Sequence, residues 1–72
     1  MMLCFFLKKY RRSDPDKWIF ALVSEWVLMA DSPSHAVDLA EQQLAIVGFE
    51  MPDKDYAVLF DSHGDMMWDR GP

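Results

Sequence analysis

The chain is short of the residues that small domains commonly use to staple themselves or to do chemistry. Cys4 is its only cysteine, so no disulfide can form within one copy. A lone thiol in an apolar run fits a reducing, cytosolic setting. Three glycines leave no glycine-rich loop to cradle a phosphate. No apolar run approaches the ~20 residues of a membrane span. Residues 1–7 are apolar, but the basic residues follow that run and no small-residue cleavage site is present, so no signal peptide is expected. Internal repeats and low-complexity segments are missing as well.

Basic residues are few and lopsided. Seven Lys and Arg face twelve Asp and Glu, for a net charge of −5. Lys8, Lys9, Arg11 and Arg12 supply four of the seven, and the first twelve positions hold no acid. Residues 31–53 contain no Lys or Arg at all. A net negative chain is a poor nucleic-acid binder, because neutralising phosphate dominates that affinity. It suits instead a basic protein patch, such as one that normally holds DNA or RNA.

What the chain does have is apolar and aromatic mass. Of its 72 residues, 51% are hydrophobic and 14% aromatic, which argues against disorder. One domain, residues 1–72, is expected, close to the lower limit for a self-sufficient core.

The pattern predicts a small α+β fold. Residues 3–10 read as a first strand, and Ser13-Asp14-Pro15-Asp16 as a turn with proline presetting the backbone. Residues 17–30 form a long second strand, bent or bulged near Ser24-Glu25. A helix over residues 33–47 is fully punctuated. Ser32 caps it, Pro33 fits its first position, Gly48 suits a left-handed end, and Phe49 folds back on the last turn. Residues 51–55 are a loop, 56–61 a third strand, and Ser62-His63-Gly64-Asp65 a turn. Met66-Met67-Trp68 either adds a fourth strand or trails off, and Arg70-Gly71-Pro72 should fray. The order is ββαβ, extended to ββαββ if the fourth strand forms, with an antiparallel sheet and the helix on one face.

One helix cannot cover two apolar sheet faces. The helix should bury Ala36, Val37, Ala40, Leu44 and Val47, flanked by Leu39 and Ile46. In the second strand Ile19, Ala21 and Val23 point one way and Trp18, Phe20 and Leu22 the other. Tyr10, Trp26 and Trp68 add aromatic area. Either another chain covers the uncovered face, or the second strand curls and the C-terminal segment packs over it.

Chemistry-bearing constellations are thin. Asp61-Ser62-His63-Gly64-Asp65, with Asp53, Asp55 and Asp69 near in sequence, offers oxygen and imidazole ligands, yet the same residues make an ordinary hydrophilic turn. Cys4 has no spacing that pairs it with His35 or His63 as nucleophile and base. Glu25, alone among apolar strand residues, suits a bulge or a solvent-facing sheet edge. His35 reads as a solvated residue, and Asp31 sits well against the positive end of the helix dipole. No catalytic residue, metal site or cofactor is expected. The stronger signal is the helix's outer surface, where Asp38, Glu41, Gln42 and Ala45 oppose the buried stripe. With Asp31 and Glu50 at its ends, it is a negative strip about one helix long.

The segment over residues 30–51 resembles part of the small podophage proteins that inhibit bacterial RNA polymerase. The likeness lies in the Ala30-Asp31-Ser32 start, the Ala36-Val37-Asp38-Leu39-Ala40-Glu41 middle and the Gly48-Phe49-Glu50 exit, without a gap, over about a third of the chain. It implies a ββαβ fold and a non-enzymatic inhibitor that docks an acidic strip on the polymerase. Asp31, Asp38, Glu41 and Glu50 match the family's acidic positions. Two departures stand out: the family has a tryptophan where Gln42 stands, and paired arginines in its last strand, where Tyr56-Ala57-Val58-Leu59-Phe60 carries no base.

The expected function is therefore a non-enzymatic, acidic, phage-type binding protein of the host cytoplasm. It would occlude a basic nucleic-acid-binding surface of a host protein or nucleoprotein complex, either bacterial RNA polymerase or, as an anti-CRISPR protein, a CRISPR effector. The partner-binding residues would be Asp31, Asp38, Glu41 and Glu50, with Trp18, Phe20 and Trp26 as apolar anchors. No direct contact with nucleic acid or membrane is expected. The alternative is a self-associating module that dimerises through an apolar sheet face.

Overall fold

The structure is a computed structural model in which residues 2–12, 16–17, 19–47 and 55–70 are described. These form strand β1 (Leu3–Arg12), strand β2 (Phe20–Ala30), helix α1 (Pro33–Val47), strand β3 (Asp55–Phe60) and strand β4 (Met66–Arg70). The strands make one sheet in the order β2-β1-β3-β4, with every neighbouring pair antiparallel. β2 and β3 therefore run parallel on either side of β1, and α1 is the crossover between them.

Both bounds of α1, the starts of β1 and β4 and the end of β2 fall where the residues put them, whereas β1 runs on to Arg12, two residues past the expected Tyr10. Ser32 Oγ accepts the His35 backbone N–H at 3.2 Å, and the first helical bond runs from Ala36 N–H to the Ser32 carbonyl at 3.0 Å. The helix spans residues 33–47 as expected. The fourth strand forms, and the fold is ββαββ. Arg70, expected to fray, pairs with Ala57 at the edge of the sheet. β3 is shifted by one residue against expectation, because the Asp61 carboxylate is spent on the next turn. Its Oδ1 accepts the N–H groups of His63 and Asp65, both at 2.9 Å. Gly64 completes that turn at φ +86°, a backbone angle that glycine adopts without steric cost. β2 begins at Phe20, three residues later than expected. Gly48, Phe49 and the turn at Ser13-Asp14-Pro15 lie outside the described residues.

The core lies between α1 and one face of the sheet. Strand alternation sends Phe5 and Leu7 of β1 inward, with Ala57 and Leu59 of β3 beside them. Ala36, Ala40 and Leu44 repeat every fourth residue and bury against that face. Trp26, Leu28, Val37, Leu39 and Trp68 pack around this cluster. Each fully buried Leu or Phe contributes about 2 kcal/mol of transfer free energy. The helix stripe ends sooner than the sequence suggests. Val47 and Ile46 stay exposed, at 40% and 78%, and neither packs on the core.

One irregularity decides where the β2 side chains go. Lys9 pairs with Ser24 but Tyr10 pairs with Leu22, so Val23 is an extra residue in the ladder. The bulge expected near Ser24-Glu25 thus sits at Val23. Beyond it the alternation changes parity, so that Phe20 and Leu22 share a face with Glu25, Val27 and Met29.

Candidate binding surfaces

The two broad surfaces of the molecule differ in chemistry. The outer side of α1 is acidic: Asp31, Asp38 and Glu41 are exposed, together with Gln42 and Ala45. Helical periodicity alone places Asp38 and Glu41 there, opposite Ala36, Ala40 and Leu44. Asp31 Oδ1 lies 2.9 Å from Nδ1 of His35, one turn along. Glu50, the expected far end of the strip, lies outside the described residues.

The second surface is the sheet face away from α1. Cys4, Phe6, Lys8 and Tyr10 of β1 point this way, beside Tyr56, Val58 and Phe60 of β3. Leu22, Val27 and Met29 of β2 and Met66 of β4 complete it, each 49–60% exposed. Among the described residues no helix or strand lies over this face. β4 extends the sheet sideways, so the C-terminal segment does not pack across it. Rings cluster at one end: Phe20 and Tyr10 lie 5.7 and 6.4 Å from the Tyr56 centroid. At the other end Phe6, Lys8, Glu25 and Phe60 join the β3–β4 turn around an open groove of about 500 Å³. Lys8 Nζ stands 5.3 Å from the Phe60 ring centroid, a cation–π contact.

Of the expected aromatic anchors, Phe20 and Trp26 do not come together. Phe20 lies on the open face, whereas Trp26 is turned inward and packs on the core, the Val23 bulge having separated them. Trp18 lies outside the described residues. Sequence reasoning also missed Tyr10, Tyr56 and Phe60 as a shared surface. The alternation of β1 carried the signal, but only the β1–β3 pairing joins the rings.

Two polar arrangements are accounted for by structure. Asp55 is fully buried on the helix side of the sheet, where Arg11 Nε donates to its Oδ1 at 2.8 Å and Lys9 Nζ lies 3.5 Å from Oδ2. On the open face Tyr56 donates its hydroxyl to Asp69 Oδ2 at 3.1 Å. Burial first, then that hydrogen bond and the nearby negative charges of Asp69 and ionised Tyr10, push the Tyr56 hydroxyl above the ordinary phenol value.

Among the described residues no three His, Cys, Asp or Glu side chains converge as a metal site. No described helix is long and apolar enough to cross a membrane. No protein-family model, curated protein or solved structure matches the chain.

Proposed function

We propose that the chain is a non-enzymatic binding protein of phage type that occludes a basic, nucleic-acid-binding surface of a host machine. The observation that carries this reading is the outer surface of α1, where Asp31, Asp38 and Glu41 are exposed and no Lys or Arg occurs between residues 31 and 53. Ordinary solvated helices mix both signs, which stabilises them through pairs one turn apart. A strip of one sign forgoes that support and attracts a surface of the other sign. Phe20 is on the opposite layer from the strip, so a flat basic surface meets the strip without it. Bacterial RNA polymerase is the target that the resemblance over residues 30–51 suggests, with a CRISPR effector as the other candidate.

The test is capture from bacterial lysate on the tagged chain, with low-salt and high-salt washes read by mass spectrometry. Subunits of a nucleic-acid machine should be retained at low salt and lost at high salt, because exposed charge contacts are screened. The double variant Asp38→Lys, Glu41→Lys should weaken binding by at least about tenfold while its circular dichroism stays unchanged. Undiminished inhibition of the captured machine by that folded variant would defeat the proposal.

A further inference from the structure

We propose that a second copy of this chain covers the open sheet face, the two sheets packing face to face with both helices outward. This inference does not depend on the identity of any host target. It starts from a deficit. Among the described residues the buried apolar side chains are nine, and four of them are Ala30, Ala36, Ala40 and Ala57. Meanwhile Leu22, Val27, Met29 and Met66 stand half or more exposed, or close to it, on a single face, around the partly exposed rings of Tyr10, Tyr56 and Phe60. A chain this small commonly completes such a core by oligomerising. A second sheet packed at roughly 10 Å is the usual complement to a flat apolar sheet face.

Area and charge both point to a copy. The molecule measures 44 × 24 × 16 Å, and its thin dimension matches one sheet under one helix. The sheet face, built of strands of 10, 11, 6 and 5 residues, projects about 500 Å², the same order as the ~800 Å² of accessible surface per partner in a stable interface and small enough to dissociate on dilution. The charged strand residues of that face balance: Lys8 and Arg12 against Glu25 and Asp69. Lys8 and Glu25 are register partners near the middle of β1 and β2, and neither is in an ion pair among the described residues. A two-fold axis can bring Lys8 of one copy to Glu25 of the other, and the reverse, which is the self-complementarity that an isologous dimer requires. The acidic helix strips then face away from each other across two full layers. That separation exceeds the ~8 Å screening length at physiological salt, so a net charge of −5 does not oppose this arrangement strongly.

Sedimentation equilibrium across a micromolar concentration range tests the proposal. The wild-type chain should show twice its 8.4 kDa mass at the upper end and dissociate on dilution. Val27→Lys should weaken dimerisation at least tenfold with unchanged circular dichroism, and Asp38→Lys should leave it intact. If Val27→Lys fails to fold, the charge pair decides. Lys8→Glu and Glu25→Lys should each weaken the dimer, and the two combined should restore it. A strict monomer at high micromolar concentration would overturn the inference. So would a dimer indifferent to these face substitutions, or open-ended assembly through the β2 edge.

Discussion

At the scale of single residues, the side chain with most at stake is Asp55. It has no solvent exposure, and its two oxygens serve Lys9, itself 6% exposed, and Arg11. Removing Asp55 leaves Lys9 buried without that carboxylate, whereas Arg11, about half exposed, keeps its hydration. Asp55→Ala should therefore lower unfolding free energy by about 3 kcal/mol, seen as a lower urea midpoint at unchanged slope. Tyr56 supplies a pH dependence. Its hydroxyl ionises at a higher pH in the folded chain than in the unfolded one. The neutral form is thus the one that folding favours, and its contribution is complete below pH 10.0 and lost as pH rises through the folded value. Denaturation curves on either side of that range should show wild-type stability falling with pH, and Tyr56→Phe should flatten that part of the decline.

At the scale of elements, α1 is the most locally encoded piece. Its start is fixed by Ser32 and Pro33, whose effects need no tertiary contact, and Ser32→Ala should cost about 1 kcal/mol in thermal or urea unfolding. For the same reason α1 was legible in the sequence, and with it the acidic strip, since a helix places Asp38 and Glu41 by period alone. The strands were legible as apolar runs between turns, but their order was not, because β1 meets β3 across a long separation that no local pattern records. The Val23 bulge was foreseen only approximately, and that mattered for the anchors. By simple alternation Phe20 and Trp26 share a face. One extra residue between them turns Trp26 into the core and leaves Phe20 outside. A single unpaired position therefore decided which aromatics lie on the open face.

At the scale of the whole molecule, the fold is two layers of unlike chemistry, an acidic helix over a sheet whose far side is apolar and balanced in charge. The two layers are separate surfaces, so a substitution on one leaves the chemistry of the other unchanged, and the two proposed contacts can be tested independently. The sheet order also has a meaning in time. β2 follows β1 directly in the chain, yet the other edge of β1 must wait for β3, as the 44-residue separation of Arg11 and Asp55 shows. During that wait the nascent chain carries an open edge over residues 6–11, a template for any extended stranger. Lys9 and Arg11 lie on that edge on the helix side of the sheet, Lys9 buried and Arg11 about half exposed. A stranger without a carboxylate at the matching position would have to bury Lys9 without that counter-charge, whereas β3 arrives with Asp55 in register. The ion group that stabilises the finished protein thus also guards the unfinished one.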